Sequence, residues 1–237
     1  MKRFALALRL SLLLVASGCG DTGQHSISVP LYGVGAAPEP FAAGDWTIRL
    51  DDARVGIGPI YFCAAQSSSA DLCPSAVAEL TDSVTIDALD PTPERLGTLA
   101  ARTVSLGSAA WDFAITWPRT EAAPVVLNGA PEQHSAHFEG LASKDDQELH
   151  FVVDLDIVPL LRGTHTVQGV RTSASIEAGI ECELHLDAAA WWSQVDFDDL
   201  ASADTDPVII QPGSRAYNAL IVAMTSSAPP TVEWSEP

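Results

Sequence analysis

Two consecutive segments carry histidines and carboxylates in a pattern that could bind a metal ion. Ser135–Ala142 and Glu148–Ile157 alternate apolar with polar residues, which predicts two strands joined by a polar turn. If the hairpin is centred on Asp145-Asp146, His137 lies opposite Asp154. Opposed side chains on neighbouring strands have Cβ atoms about 4.5–5.5 Å apart, so the imidazole and the carboxylate could share a hydrogen bond or a metal ion.

The same register separates an apolar face from a polar face, as a strand pair on a core requires. The apolar pairs are Phe138 with Val153, Gly140 with Phe151, and Ala136 with Leu155. The polar face also contains His150, which lies opposite Leu141, and Ser135, which lies opposite Asp156. His185 lies with Glu183 and Asp187 on the polar side of a further predicted strand. Imidazole and carboxylate ligands suit zinc, copper or iron. The predicted transition-metal ligands are His137, His150, Asp154 and His185. The alternative is a hydrated strand face that binds no metal, and the absence of an H-E-x-x-H signature favours this alternative.

Two other segments could bind ligands. Asp196 to Asp206 is rich in aspartate, but Ala201 and Pro207 stand where an EF-hand loop needs Gly and Glu, which leaves an irregular calcium loop or a solvated acidic loop. Trp191 and Trp192 could form a sugar-stacking or partner-binding surface, or they could pack in the core.

Catalytic signatures are absent from the sequence. It contains no G-x-S-x-G elbow, no S-x-x-K pair, no Walker loop and no dinucleotide-binding glycine pattern. Cys182 alternates with apolar residues, which predicts an inert buried thiol. We therefore assign no enzymatic activity, and an envelope hydrolase is the least supported class.

The N-terminus predicts export. Met1-Lys2-Arg3 is followed by the apolar run Leu10 to Ala16 and then by Ala16-Ser17-Gly18-Cys19. This ending resembles the lipobox of bacterial lipoproteins, and the resemblance implies cleavage before Cys19 and acylation of that residue, for example with palmitate. An ordinary secretory signal is the alternative. The uncharged stretch is too short to span a bilayer, which needs about 20 apolar residues.

A second segment carries a family resemblance. Trp46 to Cys63, Trp-Thr-Ile-Arg-Leu-Asp-Asp-Ala-Arg-Val-Gly-Ile-Gly-Pro-Ile-Tyr-Phe-Cys, resembles the opening of uncharacterised secreted lipoproteins of Gram-negative bacteria. The resemblance assigns no catalytic or binding role to any residue of this segment. The implied location is the cell envelope, at the outer membrane or the periplasmic face of the inner membrane.

Composition excludes one class of partner. Removing residues 1–18 takes away three of the 12 basic residues, so nine face 31 acidic residues and the formal net charge becomes −22. Nucleic-acid partners are disfavoured because phosphate binding requires lysine and arginine. The expected layout is a signal peptide over 1–18, a lipidated cysteine and tether over 19–45 with one short strand at Ile27 to Tyr32, and one domain over 46–237.

Three cysteines remain besides Cys19. In an oxidising compartment Cys63 and Cys73 are the expected disulfide, while pairing of either with Cys182 stays open because connectivity does not follow from sequence.

Alternating segments and frequent turns predict an all-β domain. The expected fold is an antiparallel β-sandwich, jelly-roll or immunoglobulin-like, with one or two short helices. The candidate helices are Ser75 to Leu80, Thr92 to Ala101, and Asp187 to Ser193. The expected function is non-enzymatic binding of a small ligand, metal ion or envelope protein by a lipid-anchored protein; the alternatives are a structural or assembly lipoprotein and a carbohydrate-binding module.

Overall fold

The computed structural model of the chain describes residues 25–36, 40–65, 76–203 and 205–235. Strands dominate these residues. They are β1 (Ser26–Val34), β2 (Phe41–Ala43), β3 (Trp46–Ile57), β4 (Ile60–Cys63), β5 (Ala78–Leu80), β6 (Val84–Asp87), β7 (Glu94–Arg102), β8 (Ser108–Trp111), β9 (Ile115–Thr116), β10 (Val125–Val126), β11 (Ala136–Lys144), β12 (Gln147–Leu155), β13 (Val167–Arg171), β14 (Cys182–His185), β15 (Val208–Ile209) and β16 (Thr231–Trp234).

Most of the described strands belong to two mixed sheets. One sheet has the order β13-β8-β4-β5-β7-β1-β14-β16, and the other has the order β15-β12-β11-β3-β2, with β6 also paired to β3; β9 and β10 form a separate pair. The pairs β1–β14 and β12–β15 are parallel, whereas the remaining ladders are antiparallel. The mostly-β prediction is therefore confirmed, and the expectation of purely antiparallel sheets is not. Both parallel pairs are joined by long connections, as parallel pairing requires, and the connection from β12 to β15 contains α1 and α2.

The predicted hairpin is present with the predicted register. His137 pairs with Asp154, and Phe138 pairs with Val153. The turn lies at Asp145-Asp146, and Asp145 has a φ of 52°, a left-handed conformation that aspartate tolerates better than most residues. Because side chains alternate along a strand, this register buries the phenylalanine side of β11 and leaves the histidine side facing away from the core.

The described helices are few and short. They are α1 (Ala188–Trp192), α2 (Phe197–Leu200) and α3 (Arg215–Val222), with a 3₁₀ turn at Pro131–Gln133 and a π-helical turn at Ala223–Ser227. The helix predicted at Asp187 to Ser193 is confirmed as α1, which Asp187 caps by accepting a hydrogen bond from the Ala190 N–H.

Two predicted helices are strands instead. Thr92 to Ala101 forms most of β7, and Ser75 to Leu80 contains β5. Leu99 and Ala101 alternate with exposed residues and are buried. Good helix formers occupy this strand because pairing with β1 and β5 outweighs a weak intrinsic propensity.

An aromatic cluster joins the helices to the sheet that contains β11 and β12. Trp191 and Trp192 are both fully buried, so they do not form the ligand surface proposed from the sequence. The Trp192 ring lies 4.5 Å from that of Phe151 and 5.7 Å from that of Phe138, between ring centroids. The Trp191 Nε1–H donates to the Ala228 carbonyl at 2.7 Å. Adjacent tryptophans are both buried because α1 is covered by the sheet on one side and by the segment after α3 on the other.

Cys182 is a buried free thiol, so both of its alternative disulfides are wrong, and burial raises its pKa far above the ordinary range, as an inert thiol requires. Cys73 and Cys19 lie outside the described residues, and the Cys63–Cys73 pairing stays a prediction. The strand predicted at Ile27 to Tyr32 is confirmed as β1, which contributes core side chains, and β2 lies in the same segment. None of the helices in the described ranges has the length and apolarity needed to cross a bilayer.

Candidate metal centre

His137 lies at the middle of the polar face of its sheet. Its strand, β11, is flanked by β3 and β12, so His137 has Arg54 as its neighbour on one side and Asp154 on the other. The residue is only 5% exposed. Its Nδ1 lies 2.7 Å from Asp154 Oδ1, and its Nε2 lies 3.2 Å from Glu139 Oε1. Both ring nitrogens therefore have carboxylate partners.

Further charged groups surround this ring. Arg54 donates from Nε to Asp52 at 2.9 Å and from Nη2 to Glu132 Oε1 at 2.8 Å. Asp52 Oδ2 also lies 3.9 Å from His137 Nε2. We call this group the His137 cluster, and its members are Asp52, Arg54, Glu132, His137, Glu139 and Asp154.

Glu132 reaches the cluster from outside the sheet. It belongs to the 3₁₀ turn before β11, where Glu132 has a φ of 52° and Gln133 a φ of 75°. Left-handed backbone at two consecutive residues other than glycine is costly and is often found at functional sites. This turn folds the chain back so that the Glu132 carboxylate lies over the polar face.

The electrostatics of the cluster favour a charged imidazole. Burial opposes the charge on His137, but hydrogen bonds to Asp154 and then Glu139 outweigh burial, so the pKa of His137 is raised above its ordinary value. The Arg54 hydrogen bond, followed by the nearby His137 ring, lowers the pKa of Glu132. Ionised carboxylates only accept hydrogen bonds, so a ring between two of them is satisfied as an imidazolium with two N–H donors.

The same atoms can form part of a metal site. One ligand atom each from Glu132, His137 and Asp154 lies within 4.8 Å of the others. Tetrahedral ligands about 2.0–2.1 Å from zinc are about 3.3 Å apart, so binding requires a contraction of the triangle. Glu132 is more than half exposed and can supply that movement, while His137 is held by its neighbours. Binding also requires the ring to lose a proton and Glu132 to leave Arg54.

The other predicted ligands lie elsewhere. His150 is exposed and pairs with Asp206 at 3.0 Å, and His185 lies in the other sheet, 3.2 Å from Glu183. His150 precedes Asp154 by four residues on one strand, a separation of about 13 Å. The structure thus brings together His137 and Asp154, whereas the predicted ligands His150 and His185 lie apart from them. It adds Glu132, which the hairpin pattern could not reveal.

The aspartates of the 196–206 segment diverge to separate partners. Asp196 caps α2, Asp198 accepts from Trp46 Nε1 at 2.9 Å and from Lys144 Nζ at 2.8 Å, and Asp206 pairs with His150. Asp204 lies outside the described residues. Among the carboxylates that the structure describes here, none converges with two others on one point, so the calcium-loop hypothesis gains no support.

A histidine–aspartate pair with a buried aspartate, which the sequence pattern does not reveal, lies outside the His137 cluster. Asp112 is fully buried and accepts from the Thr166 N–H at 2.8 Å, from Thr166 Oγ1 at 3.1 Å and from His165 Nδ1 at 3.3 Å. The alternation of Trp111 and Phe113 predicts that Asp112 faces solvent. Every residue from 106 to 115 is buried, however, so this segment is covered on both sides and the alternation does not hold.

No protein-family model matches the sequence, and neither a curated protein nor a solved structure is significantly similar to it. Functional assignment therefore depends on the side-chain geometry described above.

Proposed function

We propose that this protein is a lipid-anchored lipoprotein of the cell envelope whose β-rich domain binds a divalent transition-metal ion without catalysing a reaction. Acylation at Cys19 is supported by the lipobox-like sequence, and the domain is proposed to be a sandwich of its two large sheets. Side chains from both sheets contribute to one hydrophobic cluster, which supports that packing.

One observation carries the metal proposal. The nearly buried His137 ring has carboxylate oxygens of Asp154 and Glu132 within 4.8 Å of its ligand nitrogen. The cluster carries four carboxylates against one guanidinium, so it remains negative even when the imidazole is charged. A divalent cation that replaces the ring proton would reduce this excess charge, and three protein ligands leave a coordination position for water.

The test is metal binding by the full chain with Cys19→Ser, which removes the acylation site. We expect about one Zn²⁺ per chain by calorimetry at pH 7.5, with Ni²⁺ and Mn²⁺ measured alongside. His137→Ala is expected to weaken Zn²⁺ binding more than about 100-fold, since loss of a direct ligand should exceed the 10–100-fold cost of losing a supporting residue. His150→Ala is the matched control, because His150 has its own aspartate partner away from the cluster.

Arg54→Gln provides a second test. The Arg54 guanidinium forms an ion pair with Glu132 and so supplies the positive charge that a bound metal ion would otherwise supply. Its removal is expected to tighten Zn²⁺ binding, because Glu132 is freed and a positive charge that repels the cation is lost. Unchanged or weaker binding would contradict a site beside Arg54. Absence of saturable Zn²⁺, Ni²⁺ and Mn²⁺ binding would refute the metal proposal.

The alternative is a structural or assembly lipoprotein that binds another envelope protein. It is favoured by the completeness of the ion-pair network, since Arg54 and the charged His137 ring already give the carboxylates partners without a metal. In that case the cluster orders the sheet surface, and His137→Ala changes stability but no metal affinity.

A further inference from the structure

We propose that the cleft between the 157–168 segment and the end of α3 binds an elongated hydrocarbon chain with a neutral hydrogen-bonding head group. The cavity has a volume of about 600 Å³, within the range of small-molecule sites. This site is separate from the His137 cluster, and the inference does not depend on metal binding.

The cavity has an apolar wall with an exposed mouth. Ile157, Val158 and Ile221 line it together with Leu160 and Leu161. Leu160 is 93% exposed and Leu161 is 67% exposed, although both are large apolar residues. Exposed apolar side chains that continue an apolar cavity are a feature of ligand-binding grooves.

The leucines are presented by an ordered turn. The Gly163 N–H donates to the Trp117 carbonyl at 2.6 Å, and the Arg162 Nε–H donates to the Arg119 carbonyl at 2.7 Å. Thr164 Oγ1 also donates to the Leu161 carbonyl at 2.7 Å. These bonds hold the turn in place without burying its leucines, so little further ordering is needed when a ligand covers them.

The opposite wall is a π-helical turn. Thr225 and Ser226 line the cavity from the Ala223–Ser227 segment, and Thr225 Oγ1 donates to the Ile221 carbonyl at 2.7 Å. Isolated π-turns are frequent at functional sites because they widen a helix locally.

A polar end is supplied by His165. The fully buried Asp112 carboxylate engages His165 Nδ1, and the ring packs against Tyr61 with centroids 4.7 Å apart and the ring planes tilted by 35°. With Nδ1 engaged, Nε2 is the ring atom left for a ligand, and Thr166 and Gln168 add polar groups to the same wall.

The charges around the cavity favour a ligand with a neutral head group. Asp156 lines the cavity, and Asp112 lies directly behind His165. Among the described lining residues there is no lysine or arginine to balance an anion. A hydroxyl or amide head can hydrogen-bond to Nε2, whereas a carboxylate or phosphate would meet a negative surface on an acidic protein.

The experiment measures binding of the neutral fluorophore N-phenyl-1-naphthylamine to the full chain with Cys19→Ser. We expect saturable binding, displaced at least about tenfold more effectively by 1-dodecanol than by dodecanoate, a difference of about 1.4 kcal/mol. His165→Phe, which keeps a ring against Tyr61, is expected to remove the preference for the alcohol. Equal or better displacement by dodecanoate overturns the neutral head group.

Two variants test the location. Ser226→Trp fills the cavity from an exposed position, and the double variant Leu160→Ser, Leu161→Ser removes the mouth; each is expected to weaken fluorophore binding at least about tenfold. Val126→Ser is the control, because it removes an apolar side chain that is also exposed but lies outside the cavity. Absence of saturable binding, or binding unaffected by Ser226→Trp, overturns the proposal.

Vesicles separate the cavity from a membrane-docking surface. If phosphatidylethanolamine vesicles retain the protein, and the leucine double variant abolishes retention while Ser226→Trp does not, the leucines contact a bilayer and the cavity proposal is overturned. The His137→Ala variant is expected to bind the fluorophore normally, so failure of the metal proposal leaves this result interpretable.

Discussion

Replacing His137 with Gln tests whether the ring is held as an imidazolium. The charged ring makes two hydrogen bonds to ionised carboxylates, and such bonds contribute about 1.5–3 kcal/mol each when well shielded. Asp154 and Glu139 are 41% and 51% exposed at their side chains and regain water when the ring is lost. We therefore assign about 1.5 kcal/mol to the shorter bond and less than about 1 kcal/mol to the longer one, about 2 kcal/mol together.

The effect has a defined pH dependence. Because the pKa of His137 is raised on folding, the extra stability is complete below the unfolded-state pKa and is lost as the pH rises through the folded-state pKa. Urea unfolding at pH 5.5 is expected to show His137→Gln destabilised by about 2 kcal/mol. At pH 9 the difference should fall below about 1 kcal/mol, since a neutral ring keeps one donor. His150→Gln should stay within about 0.5 kcal/mol throughout. A destabilisation that is constant or grows with pH would refute an imidazolium.

Three further predictions follow from buried groups. Trp192→Ala should lower the free energy of unfolding by about 3–5 kcal/mol in urea titrations, because the ring fills the space beside Phe151; a loss below about 1 kcal/mol would contradict a packed cluster. Asp112→Ala should cost about 1–3 kcal/mol by leaving the Thr166 N–H unpaired, and hydrogen exchange should accelerate at that amide rather than globally. Cys182 should react with a thiol reagent only as fast as the protein opens, so rapid labelling under native conditions would show that it is accessible.

The hairpin was predictable because its information is local. A polar turn fixes the centre, and a period of two on both sides fixes which residues face each other, so His137 and Asp154 follow directly. The same reasoning could have excluded His150 from their site, since four residues along a strand cover about 13 Å. Treating all histidines on one face as a single set ignored that length.

The rest of the site depends on non-local contacts. Arg54 lies beside His137 because β3 pairs with β11. The two residues are separated by 82 others along the chain, residues 55–136, and no local pattern specifies which strand is the neighbour. Glu132 depends on a turn whose left-handed residues are not the usual glycine or asparagine. Whether Trp191 and Trp192 are buried or exposed also depends on non-local contacts, because burial of both requires cover on two sides of α1.

A proton and a metal ion compete for the same lone pair on His137, and this competition separates the two roles of the cluster. Stability that comes from the imidazolium decreases as the pH rises through its raised pKa. Stability gained from added Zn²⁺ must increase over the same range, because the ion binds the deprotonated ring. Arg54 affects both the protonation of His137 and the binding of Zn²⁺, since its charge pairs with Glu132 and repels an incoming cation. A metal centre therefore requires that the gain in stability on adding zinc increases over the pH range in which the metal-free protein loses stability, whereas a purely structural ion-pair network produces the same pH dependence with or without zinc.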